Sequence, residues 1–240
     1  MKPAAELSEA NDNRRNLYSF LARVYAKEVD VEFLRGLKGK REFFLASAHD
    51  PEVEGTELAD GFRELAEYVG TLRDDELEKA RLELAVEYAG VFLGAWKGVA
   101  HPSESAYETE GRLIMQKPRD EVLAEFRSMG LQKSEDFAEP EDHIALELQF
   151  MAHMSEKTGS ALTVGKYADA RKYLEIQKGF LEGHLVWWVP KLTVDIIKVA
   201  RQGFYKAIAK ITNGYIHIDK SILNELLDGL ALAETEPEHR

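Results

Sequence analysis

Glu139-Pro140-Glu141-Asp142-His143-Ile144-Ala145-Leu146-Glu147-Leu148-Gln149-Phe150-Met151 is the stretch on which the reading of this 240-residue chain turns. Proline is tolerated in a first helical turn, where the N–H groups have no intrahelical partner, and the helix dipole favours acids at the same end. The stretch therefore predicts a helix beginning near Glu139 or Pro140. Ile144, Leu148 and Met151 recur at i, i+4 and i+7 as a buried stripe, and His143 and Glu147, four apart, share an adjoining face. Two readings of the polar cluster stand open: an N-terminal capping array, with Asp142 as a first-turn cap and a surface histidine, or a binding site built on a helix start.

Working outward, the same periodicity runs through almost the whole chain. Leu17, Phe20, Leu21, Val24 and Tyr25 give an amphipathic helix over residues 11–28. Asp30 caps a short helix, and another short piece follows over 41–48. Leu58, Phe62, Leu65, Ala66 and Val69 stripe a helix opened by Thr56; Leu77, Leu84, Tyr88, Val91 and Phe92 stripe the next, which Gly94 stops. A helix follows Pro118 and closes at Gly130. Beyond the central stretch, helices are expected over about 163–182, about 184–202 with Pro190 kinking or splitting it, 204–212 and 219–230, with a frayed tail from 235. Tyr215-Ile216-His217-Ile218 is the nearest thing to a strand and is too isolated to make a sheet. The fold class is all-α: a single globular helical bundle of about ten helices over residues 1–240. Within it, the polar connector at 132–138 divides an N-terminal half over about 8–131 from a C-terminal half over about 139–232.

Composition excludes more than it selects. With 45% hydrophobic and 31% charged residues the chain reads as a soluble globular protein rather than a disordered one. The start of the sequence has no apolar run of signal-peptide type and no stretch approaches a membrane span, so the expected compartment is the cytoplasm, without stable membrane insertion. Zero cysteines remove disulfides, thiolate metal sites and Cys nucleophiles. A net charge of −12 argues against nucleic acid and for basic partners.

The one long non-helical segment in the middle of the chain, residues 94–107, holds Trp96 and Tyr107 among small residues. Such aromatics cap a core or bind something. Gly159-Ser160-Ala161-Leu162-Thr163-Val164-Gly165-Lys166 resembles a phosphate loop only superficially: five residues separate the glycines where four are needed, and Tyr167 stands where a Ser or Thr would hold magnesium. The only Glu-x-x-His pair of di-iron type, Glu236 and His239, lies in the tail. Glu139, His143 and Glu147, with His184 from a neighbouring helix, form a set that could bind one metal, although capping and core roles explain each residue more simply.

Three separated stretches together resemble the TorD/DmsD family of redox-enzyme maturation chaperones, relatives of the NarJ group. They are Glu87-Tyr88-Ala89-Gly90-Val91-Phe92-Leu93-Gly94 with Pro102-Ser103-Glu104-Ser105-Ala106-Tyr107; the Glu-Pro-x-Asp-His signature at Glu139, Pro140, Asp142 and His143; and Gln177-Lys178-Gly179-Phe180-Leu181-Glu182-Gly183-His184-Leu185-Val186-Trp187. The resemblance implies a cytoplasmic, non-enzymatic helical chaperone without cofactors, a monomer or a domain-swapped dimer. Its partners would be the twin-arginine leader and the body of a molybdopterin-dependent oxidoreductase catalytic subunit. Weak guanine-nucleotide binding, known in that family, has no phosphate loop here to support it. A twin-arginine leader presents two guanidiniums followed by an apolar run, so its receptor needs carboxylates beside an aromatic-lined groove. Candidate peptide-binding residues are accordingly Glu104, Glu139, Asp142 and Glu147 for the charge, Tyr88, Phe92, Trp96 and Tyr107 for the groove, and Pro102, Ser105 and His143 between them. The competing classes are a helical metal-binding enzyme and a generic helical adaptor.

Overall fold

The computed structural model describes residues 4–235, with side chains over 5–232. Among these residues there are ten α-helices and no extended strand. They are α1 Ala4–Ala26, α2 Val31–Gly39, α3 Arg41–Ala48, α4 Glu57–Thr71, α5 Leu77–Phe92, α6 Lys117–Ser128, α7 Ile144–Thr163, α8 Tyr167–Phe180, α9 Val186–Val199 and α10 Gly203–Thr235. The all-α fold read from periodicity is the fold observed. None of the described helices is long and apolar enough to cross a membrane. The tail beyond Thr235, with Glu236 and His239, lies outside the described residues.

The chain forms two compact units that interleave along the sequence. One takes the described residues up to Arg23, Met115–Trp187 and the described residues from Ile216; the other takes Val24–Ile114 and Trp188–Tyr215. The boundaries fall inside α1, α9 and α10 and after Ile114.

In the first unit α7 and α8 pack side by side. Ile144, Leu148, Met151 and Met154 on α7 are fully buried, as the periodicity requires. Phe126 of α6, Phe150 of α7 and Phe180 of α8 pack in sequence with centroids 5.2 and 4.5 Å apart, the first pair stacked and the second tilted. A buried polar seam fixes the register. The Ser155 hydroxyl donates to Gln177 Oε1 at 2.9 Å, and Gln177 Nε2 donates to Thr158 Oγ1 at 3.0 Å. Asn11 of α1 donates to the Ser155 carbonyl at 2.9 Å. Each of these buried donors finds an acceptor. α1 is tied to α10 by Arg14, which donates to both carboxylate oxygens of Asp219 at 2.6 and 3.0 Å, while the Tyr18 hydroxyl donates to the same carboxylate at 2.6 Å.

The second unit is built on aromatics. Tyr25, Tyr88, Phe92, Phe204 and Tyr205 form a cluster with neighbouring centroids 5.0–6.2 Å apart. α4 lies against α10, where a Cβ on Gly214 would sit 2.5 Å from the Leu58 backbone nitrogen. Only glycine permits that approach. This explains the main difference from the expected helices. Two helices were expected over 204–212 and 219–230, yet α10 runs unbroken through both and through Tyr215–Ile218. The glycine serves close packing, and Asn213 donates to Glu57 of α4.

Two other boundaries differ. Backbone winding continues from α8 into α9 through one π-helical turn, Leu181–Leu185, and Pro190 sits inside an unbroken α9. The phosphate-loop-like stretch is the end of α7: Gly159 is helical against Asn11, and Gly165, at φ +69°, follows the last turn.

Candidate functional site

The signature stretch does not start its helix where the acids lie. α7 begins at Ile144 with His143 as its N-cap, not at Glu139 or Pro140 and not on an Asp142 cap. Pro140 accepts at its carbonyl from the His143 N–H at 3.1 Å, closing a turn ahead of the helix. The imidazole Nδ1 then accepts from the Ala145 N–H at 3.1 Å. His143 is thus a buried cap, 3% exposed, with Phe137 edge-on at 5.3 Å. Burial pushes its pKa down to about 4. That direction agrees with the cap, since a protonated Nδ1 could not accept a hydrogen bond.

Around it, Asp142 and Glu147 are both fully buried and Glu139 is exposed. Glu141 is held by Arg119 at 2.6 Å. Burial opposes its ionisation, but the Arg119 hydrogen bond, the local backbone and the charges of Arg119 and Lys133 together keep its pKa below the usual carboxylate value. Glu139 precedes the helix, so it does not share a helical face with His143 and Glu147. Among the described residues no group of three His, Asp or Glu side chains is placed to hold a metal.

The candidates in the other unit fall into three places. Tyr88 and Phe92 belong to the aromatic core, 7% and 6% exposed, with the Tyr88 hydroxyl donating to the Tyr25 carbonyl at 2.9 Å. Trp96 is half-buried and lies flat on α5: a Cβ on Gly90 would meet its ring at 2.2 Å, and the Arg201 guanidinium covers its ring at 3.8 Å. Pro102 is half-buried and leads into a 3-10 turn, Glu104–Tyr107, in which Glu104, Ser105 and Tyr107 are all buried.

Tyr107 forms one wall of an open cleft of about 570 Å³, which Glu108, Thr109, Glu110 and Arg112 continue on one side and Pro190, Lys191, Val194, Asp195 and Lys198 of α9 on the other. Its ring rests on Trp188 at 5.6 Å and its hydroxyl reaches Asp195 at 3.3 Å. Arg112 lies over the ring at 4.3 Å and pairs with Asp195 at 2.9 Å. Burial first, and then the Asp195 charge, raise the Tyr107 pKa, so the phenol stays neutral and its O–H donates to Asp195.

Sequence reasoning missed Arg112, Asp195 and Glu87. Glu87 is a buried carboxylate on the apolar face of α5 and accepts from the Arg201 and Gln202 backbone N–H groups at 2.6 Å each, satisfying donors just ahead of α10. A lone acid between Leu84 and Val91 was a readable signal. Asp195, in the otherwise apolar run Val194-Asp195-Ile196-Ile197, was another. Arg112 carried none.

Residues 55–194 match a family model described as nitrate reductase delta subunit. Along nearly its whole length the chain is similar to proteins named Chaperone protein TorD. The one from Vibrio cholerae is 28% identical over 223 residues, 92% of this chain and 97% of the relative. The one from Aliivibrio fischeri is 27% identical over 91% of this chain and 98% of the relative, and the one from Shewanella oneidensis 26% over 92% and 94%. With the model matching more than half of its length, the chain belongs to the nitrate reductase delta subunit family, the NarJ/TorD group of chaperones, which are not enzymes.

Proposed function

We propose that this protein is a cytoplasmic maturation chaperone. It binds the twin-arginine signal peptide and the apo form of a molybdopterin oxidoreductase and holds the precursor until its cofactor has been inserted. The observation that carries the reading is the cleft at Tyr107. It offers an apolar floor from Tyr107, Pro190 and Val194 and carboxylates from Glu108, Glu110 and Asp195, the combination that a basic and then apolar peptide needs. In the other unit, Glu139 is the exposed carboxylate of the signature, Asp142 and Glu147 are buried, and His143 caps α7 behind it. Burying about 500 Å² of apolar peptide surface yields roughly 12 kcal/mol gross. Ordering and association take back several, which leaves micromolar or somewhat tighter binding. Such an affinity suits a partner that must later be released.

Calorimetry with a leader peptide carrying Arg-Arg ahead of an apolar run tests the reading. Binding should weaken several-fold when the pair is Lys-Lys, because lysine cannot reproduce the planar two-pronged contact, and should fall modestly as salt shortens the Debye length below about 10 Å. Equal binding of a scrambled peptide of the same composition would instead favour a generic adaptor.

A further inference from the structure

The contacts of Arg112 are those of a bound ligand rather than of a loop residue. Its guanidinium lies on the face of Tyr107, and its Nη2 meets the Asp195 carboxylate. A carboxylate beside an aromatic face is what recognition of a free arginine requires. Asp195 is 18% exposed and accepts from the Tyr107 hydroxyl. Tyr107 is backed by the fully buried Trp188. The receiving surface is therefore anchored on the core.

Its occupant is not. Arg112 has φ +52°, in the left-handed region that a long side chain adopts at a cost, and it follows a turn closed by its own N–H on the Thr109 carbonyl at 3.2 Å. Its side chain is 41% exposed, so the ion pair is partly screened by water and contributes little to holding the segment down. The residues after it, Leu113, Ile114 and Met115, are 58%, 49% and 56% exposed. Arg112-Leu113-Ile114-Met115 thus presents a guanidinium followed by three apolar side chains, the same order as the peptide proposed above.

We propose that the Tyr107 face and the Asp195 carboxylate form a subsite for an arginine side chain of the bound peptide, and that Arg112 fills this subsite in cis as a displaceable strap. The ligand class rests on the peptide-binding reading above. When the strap leaves, the cleft keeps three acids, Glu108, Glu110 and Asp195, against two lysines, Lys191 and Lys198, a net charge of −1 that an incoming guanidinium neutralises. Displacement exchanges one arginine for another, so the net gain comes from the rest of the peptide and from relief of the left-handed backbone.

Calorimetry of the full chain with the Arg-Arg leader peptide separates the possibilities. Arg112→Ala should bind several-fold more tightly than wild type, because the competitor is gone. Asp195→Asn weakens the hold on the strap and on the peptide arginine alike, so by itself it should change the affinity little, whereas in the Arg112→Ala background it should abolish the gain. The Lys-Lys peptide should show little of the increase. If wild type binds the leader but Arg112→Ala binds it no more tightly, or if Asp195→Asn leaves that gain intact, the subsite is refuted and the chaperone reading stands. If wild type binds no leader, that reading falls, and N-acetylarginine amide then decides the subsite. Quenching of the aromatic fluorescence of Arg112→Ala, absent from the double variant, supports it; no difference between the two overturns it. Melting curves identify a misfolded variant, and Arg112→Lys, which keeps the charge and loses the planar contact, is then the replacement and should fall between wild type and Arg112→Ala.

Discussion

The molecule contains the same three side chains twice. In one unit Arg14, Tyr18 and Asp219 meet; in the other Arg112, Tyr107 and Asp195 do. In both, a tyrosine hydroxyl and an arginine share one carboxylate. What differs is what surrounds them. Arg14 and Asp219 are 1% and 0% exposed and project from long helices, α1 and α10, with two hydrogen bonds between them. Arg112 and Asp195 are 41% and 18% exposed, and the arginine sits on a loop with left-handed backbone. Burial turns the first set into a fixed joint, because each charge would be left in a low-dielectric interior without the other. Water weakens the second to the point where it can open.

The largest effect should come from breaking the buried set. Asp219→Ala leaves the Arg14 guanidinium buried without its carboxylate and should cost about 3–5 kcal/mol, read as a large drop in melting temperature. A loss below about 1 kcal/mol would mean that the joint is no more fixed than the exposed one.

The buried cap His143 extends the contrast to a group whose burial excludes charge altogether. Its folded pKa is lowered to about 4 from an ordinary 6.5. The unfolded chain therefore takes up this proton first as pH falls. The stabilising contribution is complete above pH 6.5, declines between 6.5 and 4 and is gone below, a change of about 3 kcal/mol. Urea titrations across that range should show the decline, and His143→Asn, which keeps a capping oxygen but cannot titrate, should flatten it.

Half-burial should give an intermediate result at Trp96. Gly90→Ala puts a methyl group where the indole lies, so the ring must swing off α5 and leave Arg201. The cost should be about 1–2 kcal/mol, with a red shift in tryptophan emission. The smallest effect belongs to the exposed triad: Asp195→Asn should change stability by less than about 1 kcal/mol by thermal melting. A loss as large as that of Asp219→Ala would make Arg112 a structural clamp and not a strap.

Most of the fold was legible because helical periodicity is a local property. The stripe Ile144, Leu148, Met151 needs only its own spacing to declare a buried face, and Asp30 could be read as the cap of α2, where its carboxylate accepts from the Phe33 N–H at 2.8 Å. The family, too, lay in contiguous motifs. What the sequence could not yield was decided by groups far apart in the chain. The two helices expected over 204–212 and 219–230 are one α10, whose Gly214 packs against Leu58 of α4. Pro140 and its acids look like a helix start, but the turn ahead of α7 absorbs them, and the capping falls to a histidine whose burial keeps its nitrogen unprotonated. Arg112 carries no signal at all in its own neighbourhood. Its meaning comes from Tyr107, five residues back, and from Asp195 on a helix 83 positions further on, since an arginine acquires a role from the charge and the ring it meets in space.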